Sequence, residues 1–154
     1  MADLLVKLYD LPEAERPIPG IVIRRAMPYE KSQVLGWVRE RFGQGWADEC
    51  EVAFGQQPRS CFVAVERGVI LGFACHDATC RNFFGPMGVA AEARSRGIGS
   101  ALLLACLHAM AAAGYAYAII GGVANGDIYR KVAGAVEIAG SAPGIYRDRL
   151  TPTP

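Results

Sequence analysis

The chain has 154 residues, of which 52% are apolar and 20% are charged, and its formal net charge is +1. This length suits one compact domain with a hydrophobic core. The balanced composition argues against a disordered chain and against an electrostatic nucleic-acid binder, because those classes need lower hydrophobicity or a strong excess of charge.

The residue patterns predict an alternation of strands and helices. LLVKLYDL (4–11) is typical of a short strand or an extended arm, and prolines hold the residues after it in a linker. The later predicted elements, in chain order, are a strand at 21–26, helices at 29–42 and 47–54, strands at 60–66, 69–79 and 82–89, a helix at 97–113, a strand at 115–123, a helix at 127–132, and closing strands at 135–139 and 144–147. Arg67-Gly68 predicts a hairpin turn. Pro86 demands a bulge or a break in its strand, because proline cannot donate to the ladder.

The run from Ile98 to Ala124 contains no charged residue at pH 7, and hydropathy alone would suggest a membrane span. It predicts two buried elements instead, because Gly114 separates an Ala- and Leu-rich helix from an aromatic and β-branched strand. A helix of roughly 17 residues spans about 25 Å, less than the ~30 Å of hydrocarbon in a bilayer. No membrane partner is expected.

The five cysteines follow no CxxC spacing, and the N-terminus lacks the basic start and apolar core of a signal peptide. An odd, scattered set of cysteines is typical of reduced thiols in a cytoplasmic protein. Cys75, His76 and Cys80 have no fourth ligand nearby for a tetrahedral site, so no metal is expected.

Charge and glycine stand immediately before the most apolar helix, in RSRGIGS (94–100). The first N–H groups of a helix have no partner within it, and the helix dipole makes that end positive. Glycine lets a bulky anion approach the backbone, and arginine adds charge-assisted hydrogen bonds. The pattern predicts a phosphate site, although a tight turn with two incidental arginines would use the same residues. It is not a Walker A loop, because no Gly-Lys-Ser/Thr follows.

VAAEARSRGIGSALL (89–103) resembles motif A of the GNAT acetyltransferases, with Arg94, Gly97 and Gly99 in its Arg-x-x-Gly-x-Gly pattern. The order of the predicted elements over residues 21–150 matches that family as well. The resemblance implies an α/β fold with a mixed, predominantly antiparallel sheet, splayed between the fourth and fifth strands counted from 21–26, and helices on both faces. It implies an N-terminal arm and linker at 1–20 and a single acetyltransferase domain at 21–154.

The resemblance also implies that acetyl-CoA is the co-substrate and lies in the cleft between the splayed strands. The backbone N–H groups of residues 95–100 would hold its pyrophosphate, and the main chain at Met87 and Val89 would pair with the pantetheine arm like an added strand. The predicted cofactor-binding residues are Met87, Gly88, Val89, Arg94, Ser95, Arg96, Gly97, Ile98, Gly99, Ser100 and Asn125.

Tyr129 lies in GDIYRKVAGA, where the family usually has a tyrosine near the CoA sulfur. The resemblance implies that its phenol protonates the departing thiolate, a general-acid task. The chain departs from the family pattern here, because Gly134 comes one residue late and Ala135 replaces a phenylalanine. Packing of an amphipathic helix would also account for a tyrosine at this position.

The acceptor base is expected in the second helix, which lines the acceptor cleft in the family. Glu51 is the first candidate and Glu49 the second, and each could equally be a solvated surface acid. His76, Asp77 and Asp127 are further candidates, and water could relay the proton without a protein base.

The predicted function is N-acetylation of a primary amine, on a small molecule or a peptide, by direct attack in a ternary complex. The alternatives are a catalytically weak acyl-CoA-binding sensor or scaffold of the same fold, and an unrelated α/β domain that binds another phosphate ligand. GQGWADECEVAF and SAPGIYRDRL are expected to line the acceptor half of the cleft. The arm at 4–11 could pair with an edge of its own sheet or with that of a partner in a homodimer.

Overall fold

The computed structural model describes residues 1–14 and 16–153 and contains a seven-stranded sheet with helices on both faces. The strands are β1 Leu4–Lys7, β2 Val22–Arg25, β3 Cys61–Glu66, β4 Val69–His76, β5 Phe83–Val89, β6 Tyr117–Ile120 and β7 Val136–Glu137. Their order is β2-β3-β4-β5-β6-β1-β7, and every neighbouring pair is antiparallel except β5 and β6. The predicted mixed α/β fold is confirmed.

The described residues form four α-helices, which are α1 Lys31–Phe42, α2 Gln44–Phe54, α3 Ile98–Ala112 and α4 Asp127–Ala133. One buried cluster joins α1 and α2 to their face of the sheet, and a second joins α3 to the other face. Leu102, Leu103 and Leu107 of α3 are fully buried, which explains why this helix is apolar on nearly every side. Within the described ranges, no helix is both long enough and apolar enough to cross a membrane.

Arg67-Gly68 forms the predicted hairpin turn between β3 and β4. Arg67 and Gly68 have φ values of 51° and 77°, as a tight turn between twisted strands requires. The second helix begins earlier than predicted, at Gln44, because the single residue Gly43, with φ 100°, is enough to separate it from α1. The predicted closing strand at 144–147 is wrong, since Gly144–Tyr146 form one turn of 3₁₀ helix.

The N-terminal arm forms an interior strand of the sheet. β1 pairs antiparallel with β6 on one side and with β7 on the other. Leu4 and Val6 alternate toward the core and are buried there, while the Asp3 carboxylate accepts a hydrogen bond from the Gly122 N–H at 2.8 Å. The arm therefore pairs within its own sheet, and Asp3 ties it to the end of β6.

The sheet is splayed between β5 and β6. These two strands pair only through Phe83 with Ile119 and Phe84 with Ile120, and β5 then continues to Val89 without this neighbour. The register between β4 and β5 shifts at the same point, because Gly85 and Pro86 together lie opposite Cys75. The irregularity that Pro86 demands therefore lies where β5 leaves β6.

Gly88 of β5 is a point of very close packing between the sheet and α1. A β-carbon there would lie 2.5 Å from Cζ of Phe42, whose ring is packed by Trp37, Trp46 and Phe73. We therefore expect Gly88→Ala to lower the free energy of unfolding by about 1–3 kcal/mol, the usual cost of overpacking a core. Urea denaturation measures this change.

The matched control is Gly36→Ala, because Gly36 lies within α1 and a β-carbon there meets nothing within 4 Å. Alanine is a better helix former than glycine, so this variant should be as stable as the parent or more stable. Adding Phe42→Leu to Gly88→Ala should recover part of the lost stability, because the two changes share one contact. A Gly88→Ala protein as stable as the parent would contradict the packing that we describe.

Candidate active site at the splayed strand

A cavity of about 660 Å³ opens where β5 and β6 separate. One wall is formed by residues 83–87 of β5, and the opposite wall by residues 120–125 at the end of β6. Tyr129 of α4 closes one side, Trp46 and Glu49 of α2 another, and the C-terminal segment contributes Tyr146 and Arg149. Strands, helices and the C-terminal segment therefore meet around one cleft.

The main chain of β5 presents polar groups to this gap. The Ala90 N–H donates to the Leu71 carbonyl across the β4–β5 ladder, and Gly88 lies opposite Phe73. Main-chain groups of neighbouring residues in a strand point in opposite directions, so those of Met87 and Val89 point away from β4. They point toward the side on which β6 has diverged, whereas Gly88 pairs with β4 and packs against Phe42.

The start of α3 has the conformation of a glycine-rich turn. Ser95 and Gly97 have φ values of 66° and 82°, and Gly97 caps the helix at its N-terminus. The N–H groups of the first helical residues, Ile98, Gly99 and Ser100, have no acceptor within the helix. A β-carbon at Gly99 would lie 3.8 Å from Val89, so this turn borders the far end of β5 rather than the cavity itself.

The two arginines of the turn differ in their surroundings. The Arg96 guanidinium donates to both carboxylate oxygens of Glu66, at 2.7 and 3.3 Å, and this pairing lowers the pKa of the glutamate. Arg94 is exposed, and no carboxylate in the described part of the chain forms an ion pair with it. Arg94 is therefore better placed than Arg96 to meet an incoming anion.

Tyr129 lies on the α4 wall of the cavity. Its ring packs edge-on against Phe84 of β5, with the ring centroids 5.9 Å apart. Burial raises the pKa of its phenol, so the hydroxyl is protonated at neutral pH. Asn125 lines the same cavity, and its side-chain oxygen accepts from the Asp127 N–H at the start of α4.

The structure separates the two acidic residues of α2. Glu49 borders the cavity, and its carboxylate accepts a hydrogen bond from the Thr79 hydroxyl. Glu51 is exposed outside the cavity and pairs with Lys31 at 2.9 Å. Residues two positions apart on a helix point in different directions, so Glu49 and Glu51 cannot both face the cleft.

His76 and Asp77 form a buried hydrogen-bonded network outside the cavity. His76 Nδ1 lies 2.6 Å from Asp77 Oδ2, and the same carboxylate accepts from the Tyr115 hydroxyl and the Asn82 N–H. Burial lowers the pKa of His76, although Asp77 opposes the shift. The network fastens the β4–β5 connection to the chain entering β6. Asp127, the remaining candidate base, is exposed at the start of α4.

The cysteines are arranged differently from the set considered in the sequence. Cys75 and His76 point to opposite faces of the sheet, and Cys80 is exposed. The sulfur atoms of Cys50, Cys61 and Cys75 lie within 4.8 Å of one another in the core beneath α2. Burial holds the pKa of the Cys75 thiol well above its usual range, so this side chain packs as a small apolar group.

The sequence indicated two of the segments that line the cavity but not the individual residues that face it. Trp46, Thr79, Tyr146 and Arg149 all line the cavity, and none was singled out as a candidate. Two of the segments that contain them, GQGWADECEVAF and SAPGIYRDRL, were predicted to share one cleft. Nothing local distinguishes the residues that face it from their neighbours.

A family model described as the acetyltransferase (GNAT) family matches residues 30–130. Among solved structures, the chain is similar to a GCN5-related N-acetyltransferase from Sphaerobacter thermophilus, with a TM-score of 0.73 and 21% identity, over 89% of this chain and 48% of that one. It is also similar to one from Kribbella flavida, with a TM-score of 0.58 and 16% identity, over 88% of this chain and 53% of that one. A third similarity is to the glucosamine N-acetyltransferase region of a fungal multi-domain GH3 β-N-acetylglucosaminidase, with a TM-score of 0.69 and 17% identity, over 89% of this chain and 19% of that one.

These identities show a shared fold, and the chain spans about half the length of the Sphaerobacter and Kribbella proteins. A search of curated proteins found no significant match. The family match covers the glycine-rich turn, the splayed strand and Tyr129. The splayed strand and Tyr129 line the cavity, and the turn borders the far end of β5. The chain therefore belongs to the GNAT family of acetyltransferases.

Proposed function

We propose that this protein transfers the acetyl group of acetyl-CoA to a primary amine, by direct attack of the amine within a ternary complex. The observation that carries the proposal is the unpaired edge of β5 beside a cavity that has Tyr129 on one wall and Glu49 on another. An extended ligand on the strand edge would enter between a proton donor and a carboxylate.

The residues along β5 and α3 suit the parts of acetyl-CoA. The outward main-chain groups of Met87 and Val89 would pair with the amides of the pantetheine arm like an added strand. The pyrophosphate would lie on the N–H groups of residues 95–100, where the helix dipole favours an anion, with the Arg94 guanidinium nearby. Asn125 would contact the arm from the opposite wall of the cavity.

Bound acetyl-CoA supplies an activated thioester. The residues of the chain would stabilise the charge that develops during the transfer and would donate and accept the protons. The amine nitrogen forms a bond to the carbonyl carbon, and the bond from that carbon to sulfur breaks. The carbonyl oxygen gains negative charge, which main-chain N–H groups on the open edge of β5 would stabilise. The products are the N-acetylated amine and CoA.

Glu49 and Tyr129 act at opposite ends of the proton transfer in this proposal. The amine gives up a proton to the Glu49 carboxylate, directly or through one water. The departing thiolate takes the phenol proton of Tyr129, which burial keeps in place at neutral pH. Glu49 then gives up its proton to solvent and the Tyr129 phenolate takes one back from solvent. The net result over the cycle is one proton moved from the amine to the sulfur, with no acyl-enzyme on any cysteine.

Glu49→Gln is expected to lower kcat/KM for the amine about 10²-fold or more, within the usual range for a general base, while leaving acetyl-CoA affinity unchanged. Glutamine keeps the shape and can still accept the Thr79 hydrogen bond, so folding should be preserved. Steady-state kinetics across pH, with the amine varied at saturating acetyl-CoA, measures the loss.

Glu51→Gln is the matched control, because Glu51 is exposed on the same helix and pairs with Lys31 outside the cavity. Its kinetics should stay within a factor of about two of the parent, as for most surface ion pairs. Equal losses in both variants, or no loss in Glu49→Gln, would remove Glu49 from the transfer. Acetyl-CoA binding by the parent without turnover on any amine would favour the sensor or scaffold alternative.

A further inference from the structure

The cavity carries side chains of opposite charge on two of its walls. Glu49 projects from α2, and Arg149 lies in the C-terminal segment. Neither residue belongs to an ion pair among residues 1–14 and 16–153, so the two charged groups are not paired with each other. A ligand in this space would therefore meet a carboxylate and a guanidinium at separate points.

The Glu49 carboxylate is held by a hydrogen bond, and the segment that leads to Arg149 is anchored to the rest of the fold. Glu49 accepts the Thr79 hydroxyl, which orients the carboxylate and leaves its second oxygen available. The C-terminal segment is tied to β1, because the Asp3 N–H donates to the Ser141 hydroxyl at 2.7 Å. Tyr146 of the same segment packs against Gly122, where a β-carbon would lie 3.0 Å from its ring. Arg149 follows directly after this anchored stretch.

The same cavity is also lined by flat, apolar surfaces. Trp46 and Phe83 border it together with Tyr146. Burial raises the pKa of the Tyr146 phenol, the Glu49 and Asp3 carboxylates add to the rise, and the Arg149 guanidinium opposes it, so the ring lies within range of both Glu49 and Arg149. Part of the 660 Å³ must hold the acetyl group and the end of the pantetheine arm, so the remaining volume suits a small molecule.

We infer that the acceptor is a small zwitterion with an apolar or aromatic body, an amino acid or a close analogue, whose amine faces Glu49 and whose carboxylate faces Arg149. This inference rests on the proposed acetyl transfer and specifies its substrate class. The guanidinium would bind the carboxylate by charge-assisted hydrogen bonds, which are stronger than neutral ones and often bidentate for arginine. Arg149 is thus a binding residue for the acceptor's anionic group.

The test compares the standard α-amino acids with their α-carboxamides as acceptors, using the full chain and saturating acetyl-CoA. Each amide keeps the amine and the side chain and lacks the carboxylate. For the preferred side chains, kcat/KM for the acid should exceed that for the amide by about 10- to 100-fold, the value of one charge-assisted contact. In Arg149→Gln this ratio should fall to near one.

Arg147→Gln is the control, because Arg147 is exposed in the same segment and does not line the cavity. It should keep the ratio of the parent protein. An acid-to-amide ratio near one in the parent, or a ratio unaltered in Arg149→Gln, would overturn the inference even if simple amines are acetylated. Failure to bind acetyl-CoA, measured separately by calorimetry, would instead count against the proposed function as a whole.

Discussion

Tyr129→Phe is expected to lower turnover about 10²- to 10⁴-fold while leaving acetyl-CoA affinity nearly unchanged, if the phenol proton is the one transferred. The substitution removes a single oxygen. The ring keeps its edge-on contact with Phe84, so the α4 wall of the cavity should hold its shape. Single-turnover kinetics would show whether the loss lies in the chemical step.

The pH dependence gives a second readout for Tyr129. A general acid must be protonated to act, and burial raises the pKa of this phenol above its ordinary value of about 10. Turnover should therefore persist through neutral and mildly alkaline pH and fall only as the phenol ionises. The alkaline fall due to this group should be missing from the residual activity of Tyr129→Phe.

Tyr29→Phe serves as the control, because Tyr29 is 82% exposed and lies outside the cavity. It should retain the activity of the parent protein. Full turnover in Tyr129→Phe would exclude the phenol from the chemistry.

A trapped acetyl-cysteine adduct would overturn direct attack. Cys80, the exposed cysteine, is the one to replace with serine first, and Cys80→Ser should be fully active.

Gly97→Val is expected to weaken acetyl-CoA binding about 100-fold or more. Gly97 has a φ of 82°, which a β-branched residue adopts only at a cost of about 1–3 kcal/mol. The turn must therefore rearrange, and the N–H groups of residues 98–100 lose their common direction toward an anion. Isothermal titration calorimetry with acetyl-CoA measures the change in Kd.

Gly114→Val separates this effect from backbone strain alone. Gly114 lies just beyond the other end of α3, has a φ of 102°, and a β-carbon there meets nothing within 4 Å. The two variants should lose similar amounts of thermal stability, and only Gly97→Val should lose acetyl-CoA affinity. Equal affinity losses in both variants would mean that binding follows global stability rather than the turn at the start of α3.

Elements with strong local signals were predictable from the sequence. Gly97 and Gly114 bracket the apolar helix α3, and Arg67-Gly68 turns the chain between β3 and β4. These features depend on backbone preferences that act over a few residues. The same holds for the break at Pro86, because a proline's missing N–H is a property of that residue alone.

The position of β1 was not predictable in this way. LLVK has the alternation of a strand, yet nothing in it specifies partners as distant as Ile120 and Glu137. The closing strand expected at 144–147 failed for a related reason. The space beside β6 is occupied by β1, and the C-terminal segment turns instead to place Tyr146 against the end of β6.

The sequence also could not decide which of Glu49 and Glu51 faces the cavity, because that depends on how α2 packs against the sheet. Ala47, Cys50 and Phe54 mark the buried face of α2, and the two glutamates flank Cys50 on either side of that face. Helical periodicity treats these two positions as equivalent. Only the docking of α2 beside the splayed end of β5 turns Glu49 toward the cavity and leaves Glu51 in solvent.

The sequence by itself determined the element series except its last member at 144–147, the glycine-rich turn before α3 and the family to which these features point, since each is encoded within a short stretch of chain. The tertiary structure alone decided which residues share the cleft. Glu49, Tyr129 and Arg149 meet there because α2, α4 and the C-terminal segment pack around the gap left by β6. That gap is a consequence of strand pairing across the whole sheet, and no local pattern specifies it.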